Sequence, residues 1–218
     1  MKENVKKNGN GLTEIVFILD RSGSMAGYEA DTVGGFNAAI AEQKGKEGDA
    51  LVSTLLFDNE TEVLHDRLPL DKVPEMTRAD YRVGGCTALL DAIGGAIHHI
   101  GNVHKYARPE DVPERTVFLI TTDGQENASH HYDSDKVKRM IERQKARYGW
   151  EFIFLAANID AVETARHIGI REDRAATFRQ TPTGVRSNYE VMCAAISTVR
   201  ERRSLDETDW LAGLETDD

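Results

Sequence analysis

The segment Ile15-Val16-Phe17-Ile18-Leu19-Asp20-Arg21-Ser22-Gly23-Ser24 decides how this chain is read. Its first five side chains are β-branched, aromatic or leucine with no polar alternation, the pattern of a strand covered on both faces. The run then breaks at once into a carboxylate, two hydroxyls and a glycine, which is turn chemistry at the carboxyl end of a strand. Two more runs have the same character: Thr116-Val117-Phe118-Leu119-Ile120 and Phe152-Ile153-Phe154-Leu155-Ala156. A fourth, Ala50 to Phe57, is followed after Asp58-Asn59 by Thr61 to His65, where Val63 and Leu64 are flanked by charge. That pair predicts a hairpin whose second strand forms an antiparallel sheet edge.

Between these runs the apolar residues adopt helical spacing: Val33, Phe36, Ile40; Leu90, Ile93, Ile97, Ile100; Val137, Met140, Ile141; Tyr189, Met192, Ile196, Val199. A shorter helix is expected over Ala161 to Ile168, closed by Gly169, before a last weak strand near Ala175 to Phe178. Strands alternating with crossover helices predict an α/β fold, a mostly parallel sheet with helices on both faces and one antiparallel edge strand. The folded unit is expected to run from Thr13 to Arg203. Residues 1–12 form a polar, glycine-containing extension, and 204–218 an acidic, flexible tail in which Trp210, Leu211 and Leu214 are incidental.

At 218 residues, with 40% hydrophobic and 29% charged side chains, the chain can bury one substantial core and is not disordered throughout. Its 27 Lys and Arg against 37 Asp and Glu give a net charge of −10, which repels phosphate backbones and argues against nucleic acid as a partner. The longest apolar runs fall well short of the roughly 20 residues a membrane span needs, so no membrane association is expected. Cys86 and Cys193 have neither metal-ligand nor redox spacing, which fits a reducing, cytoplasmic setting. The lysines near the start are followed by an apolar run too short for an export signal.

The chemistry concentrates where strands end. Asp20, Ser22 and Ser24 leave the first strand through a glycine turn; Thr121-Thr122-Asp123-Gly124 ends another; Gly84-Gly85-Cys86-Thr87-Ala88 precedes a long helix. If the strands ending at Asp20 and Asp123 are neighbours where strand order reverses, the three loops converge at the edge where open α/β sheets bind ligands. Hydroxyl and carboxylate oxygens suit a hard cation such as Mg²⁺. Suppose that Ser22, Ser24 and Thr87 approach it directly and that Asp20 and Asp123 act mainly through bound waters. A cation so held keeps part of its charge and attracts an outside carboxylate.

In these residues the chain resembles the von Willebrand factor type A (VWA) family: Asp20-Arg21-Ser22-Gly23-Ser24, Thr87 and Asp123 match its Asp-x-Ser-x-Ser, Thr, Asp pattern, the metal-ion-dependent adhesion site (MIDAS). The resemblance covers about Thr13 to Arg203. It implies a Rossmann-like three-layer α/β/α fold, a bound Mg²⁺ or Mn²⁺, and recognition of a protein partner that presents an acidic residue. The expected function is therefore metal-dependent protein binding without enzymatic activity. The competing reading is a Mg²⁺-dependent phosphoryl-transfer enzyme of haloacid-dehalogenase-like type, which needs an acid where this chain has Ser22; a third is a scaffold that holds metal only for stability.

Other residues have plainer readings. Cys86 is expected to be a small buried packing residue, and His130-His131 an exposed loop pair. Glu126, Asn127 and Arg21 are candidates for shaping the site or orienting an incoming carboxylate. The basic run Lys136, Lys138, Arg139, Arg143, Lys145, Arg147 reads first as a solvated helix face. Glu215, Asp217 and Asp218 could supply a carboxylate to the site of a neighbouring copy.

Overall fold

A computed structural model describes residues 11–214 and 216. The sheet has six strands in the order β3-β2-β1-β4-β5-β6: β1 (Thr13–Asp20), β2 (Ala50–Phe57), β3 (Thr61–Pro69), β4 (Arg115–Thr122), β5 (Glu151–Ala156) and β6 (Ala175–Thr177). All neighbours are parallel except β2 and β3, the hairpin expected at the edge. β1 lies in the middle with every residue buried, which is why its sequence shows no alternation.

Among the described residues five α-helices cover the sheet: α1 (Glu29–Lys44), α2 (Leu89–Tyr106), α3 (Ser134–Tyr148), α4 (Ala161–His167) and α5 (Pro182–Arg200). Alternate β1 residues feed two cores. Ile15, Phe17 and Leu19 join Phe36 and Ile40 of α1 and Tyr189, Met192 and Ile196 of α5. Val16 and Ile18 join Ile93, Ile97 and Ile100 of α2 and Val137 and Ile141 of α3. The result is the expected Rossmann-like three-layer α/β/α arrangement.

Local signals set the helix ends. Asp133, Asp160 and Thr181 accept hydrogen bonds from the backbone amides of Lys136, Glu163 and Gly184 at the starts of α3, α4 and α5. Gly149, at φ +68°, terminates α3 in the left-handed conformation that costs glycine least.

The chain beyond Arg203 departs from the expectation of a fraying tail. Leu205 and Trp210 are buried in the first core, with Leu211 and Leu214 packed against it. Asp206 pairs with Arg171 at 2.7 Å and also with Arg174. The acid count of this segment outweighed its apolar residues in the sequence, yet burying a Trp and a Leu is enough to hold a short segment against the core. Glu215, Asp217 and Asp218 lie outside the described residues, as does most of the extension 1–12.

Candidate metal centre

β1 and β4 are adjacent and parallel, and the chain leaves them toward opposite faces of the sheet, through α1 after β1 and α3 after β4. Their carboxyl ends therefore open a crevice at the switch point. Asp20 and Asp123, 1% and 2% exposed, stand at its two sides.

Each carboxylate is held by neutral donors. Asp20 Oδ1 accepts the Ser22 backbone N–H at 2.7 Å, and its Oδ2 accepts Thr122 Oγ1 at 2.5 Å. The Asp20 carbonyl accepts the Tyr81 hydroxyl. Ser24 Oγ donates to Asp123 Oδ1 at 2.6 Å and lies 3.1 Å from Ser22 Oγ. These bonds join Ser22, Ser24 and Asp123 into one chain of oxygens.

Thr87 is brought in by its loop. Gly23 N–H donates to the Gly85 carbonyl at 3.1 Å, and Gly84 N–H to the Arg21 carbonyl at 2.9 Å, so the loops carrying Ser22 and Thr87 are stitched together. Gly85 has φ +76°, and a Cβ there would fall 2.2 Å from Asn59 Oδ1, so the approach requires glycine. Asn127 clamps Thr87 from the other side: its Oδ1 accepts Thr87 N–H at 2.9 Å, and its own N–H donates to the Thr87 carbonyl at 3.1 Å. Thr87 Oγ1 and Ser24 Oγ face the same space above Gly124, since a Cβ on that glycine would lie 3.6 and 3.7 Å from them. All five sequence-predicted residues, Asp20, Ser22, Ser24, Thr87 and Asp123, thus border one crevice.

Burial pushes the Asp20 carboxyl up, against hydrogen bonds from Thr122 and Ser22, and nearby Asp123 pushes it further. Burial likewise raises Asp123 against hydrogen bonds from Ser24 and Gln180. Among the described residues no Lys, Arg or His pairs with either group. Two buried carboxylates ringed by hydroxyls and short of positive charge fit a hard divalent cation, which prefers oxygen donors. No group of three or more His, Cys, Asp or Glu suited to a metal occurs among the described residues, so the donor set here relies on hydroxyls.

The neighbours meet their sequence readings unevenly: Cys86 departs from its reading, while His130-His131 are the exposed loop pair expected. Cys86 is exposed rather than buried, because its loop turns outward around Asn59, whose Oδ1 accepts the Cys86 N–H at 2.5 Å. Arg21 is turned away from the crevice by Asp58, at 2.9 Å, and by Glu62. His130 and His131 are exposed, and their backbone amides donate to Asp91. Glu126 orders the loop after Asp123, accepting from Leu90, Ala128 and Ser129 amides and the Ser129 hydroxyl.

Gln180 was missed. Its Nε2 donates to Asp123 Oδ2 at 2.5 Å and to the Ser24 carbonyl at 3.2 Å, while its Oε1 accepts from Asn158. Gln180 lies between β6 and the Thr181 cap of α5, at the same sheet edge as Asp20. Its place after the last strand was the available signal.

Comparison with known proteins follows the same lines. Solved structures similar in fold include the vWF domain of the type V pili tip protein Mfa5 from Porphyromonas gingivalis, with TM-score 0.60 and 11% identity over 88% of this chain and 97% of that one. The ArnB paralog VWA2 from Sulfolobus acidocaldarius gives 0.51 and 16%, covering 89% and 46%. Proximal thread matrix protein 1 from the mussel byssus, in a structure described with a zinc-occupied MIDAS motif, gives 0.53 and 14%, covering 84% and 46%. The chain thus spans less than half the length of the last two proteins. No curated protein matches. The sequence profile of the family described as "VWA domain containing CoxE-like protein" matches residues 7–161, more than half of the chain. By that match and by its fold, this chain belongs to the von Willebrand factor type A domains of CoxE-like proteins.

Proposed function

We propose that this domain is a metal-dependent protein-binding module, in which Asp20, Ser22, Ser24, Thr87 and Asp123 hold Mg²⁺ or Mn²⁺ and the ion receives an Asp or Glu carboxylate from a protein partner. The observation that carries this reading is the pair of buried carboxylates, Asp20 and Asp123, with hydroxyls around them and, among the described residues, no protein cation paired with them. The zinc described at the MIDAS motif of the mussel protein supports divalent-metal use by this architecture. When bound, the ion supplies a localised positive charge with affinity for an anionic oxygen. The chain's own residues do the rest: Ser22, Ser24 and Thr87 offer neutral oxygens, Asp20 and Asp123 anchor the shell, and Asn127 and the Gly84-Gly85 turn keep Thr87 in register.

The same residues speak against phosphoryl transfer. Ser22 stands where a second acid would be needed, and we propose that the domain is not an enzyme. Free Cys86 and Cys193 support a reducing, cytoplasmic setting.

Calorimetric titration with MgCl₂ and MnCl₂ tests the metal site. Wild type is expected to bind one ion, and Asp20→Ala and Ser24→Ala to lose most of the affinity. At a metal concentration a hundredfold above Kd, thermal unfolding should gain about 2.7 kcal/mol, or roughly 5–10 °C for a chain of this size. Unchanged affinity in both variants overturns the ligand assignment. Metal-dependent turnover of a generic phosphate ester, lost in Asp20→Ala, overturns the binding-module reading in favour of an enzyme.

A further inference from the structure

α3 carries six basic and two acidic residues in a chain whose net charge is −10. Its apolar side, Val137 and Ile141, is sealed into the second core. The basic side chains divide into two sets. The lysines are used within the fold: Lys136 donates to the His131 carbonyl and sits 4.1 Å from the centre of the Tyr132 ring; Lys145 donates to the Gly169 carbonyl; the Lys138 stem packs against Gly169.

The arginines are not used that way. Arg139, Arg143 and Arg147 are exposed and follow one another at four-residue intervals, which places them on one ridge about 6 Å apart along the helix axis. Among the described residues none of the three pairs with a carboxylate, whereas Arg21, Arg108, Arg166, Arg171, Arg174 and Arg202 all do. The ridge ends at Tyr148, which is 54% exposed and lies beside the Arg147 guanidinium, 5.7 Å from its ring centre. On the inner flank, burial and then the charge of Arg171 hold the Lys145 ammonium below its ordinary value.

We infer that the Arg139–Arg143–Arg147 ridge with Tyr148 is a second docking surface, separate from the metal centre, for an acidic helical segment of a protein partner. Carboxylates at i, i+4 and i+8 of a helix repeat at the same interval of about 6 Å, and each guanidinium offers a planar fork to one of them. Arg and Tyr are also the side chains that most often concentrate binding energy at protein interfaces. A long polyanion would extend past the ridge and meet the repulsion of the overall charge of −10, which a short segment confined to the ridge largely avoids.

The test uses the full chain and a fluorescein-labelled alanine-based helical peptide with Glu at i, i+4 and i+8. Its control has the same composition with the glutamates spread around the helix. The aligned peptide should bind about tenfold more tightly than the control, and Arg139→Glu with Arg143→Glu should erase that advantage. A peptide with Lys in place of the glutamates should bind the doubly reversed variant in preference to wild type, a rescue that damage to the fold would not give. EDTA should leave the contrast intact, so failure of this surface and failure of the metal centre are read separately. Equal binding of aligned and control peptides overturns the proposal. So does heparin binding that is lost in the variant while the peptide fails to bind, or sedimentation showing a dimer that the variant abolishes.

Discussion

β1 buries a carboxylate at each end, and the two ends treat it differently. Glu14, fully buried near the amino end, is gripped by Arg67 through Nε at 2.9 and 3.1 Å and Nη2 at 2.8 Å, and by His104 Nε2 at 3.0 Å. Asp20, six residues later at the carboxyl end, is held by the Ser22 amide and by hydroxyls, and among the described residues pairs with no Lys, Arg or His. A buried carboxylate needs compensation wherever it sits. At the Glu14 end the chain supplies the counter-charge itself, through Arg67, with His104 Nε2 within hydrogen-bond distance, so that end is structural. At the Asp20 end it supplies an amide and hydroxyls, the arrangement that the proposed metal site would require.

The largest effect that could break this contrast lies at the structural end. Arg67→Ala strips Glu14 of its main counter-charge and should destabilise the fold by about 3–5 kcal/mol. Urea unfolding measures it, and the loss should be the same with Mg²⁺ or EDTA. A loss below about 1 kcal/mol would mean that the Glu14 end is not held by its ion pairs, since breaking a buried pair costs more.

A smaller effect sharpens the other end. Asn127→Ala removes the acceptor for Thr87 N–H and should cost about 1 kcal/mol of stability, while weakening Mg²⁺ binding about tenfold, the scale on which groups that orient metal ligands act. Calorimetric titration separates the two readouts. Unaltered affinity would remove Thr87 from the ligand set and leave Asn127 a plain loop clamp.

The difference in scale between these two ends mirrors what the sequence discloses. The uninterrupted apolar runs of β1, β4 and β5 reveal central strands, because a strand buried on both faces cannot alternate. Asp20, Ser22, Ser24 and Asp123 stand out because they follow the runs of β1 and β4 at the edge where ligands bind, and Thr87 because its glycine loop precedes a long helix. Glu14 carries no such mark. It precedes an apolar run like any solvated flanking residue, and only the folded arrangement shows Arg67 and His104, distant in sequence, closing over it. Gln180 and Asn158 escape for the same reason: an amide in a loop has many uses, and its contact with Asp123 depends on where β5 and β6 end. Leu205 and Trp210 were obscured by the acids around them, although their burial is ordinary apolar packing.

The smallest effect is a dependence on pH, and its sign follows from burial. In the metal-free protein burial raises the Asp20 carboxyl above its unfolded value, so the fold favours its protonated form. That contribution is fully present below the ordinary aspartate value and is lost as pH rises through the raised one. Asp20→Asn has nothing to ionise there. In EDTA, wild type should therefore lose stability relative to Asp20→Asn as pH climbs through that window, then run parallel to it. On the proposed reading Mg²⁺ takes the ionised form, so with excess metal the trend should reverse and wild type should gain on the variant over the same window. Thermal unfolding of both proteins across the acid range, with EDTA and with MgCl₂, reads both slopes. A difference that stays flat in EDTA would mean that the Asp20 carboxylate is already compensated within the fold, and the two ends of β1 would then be alike.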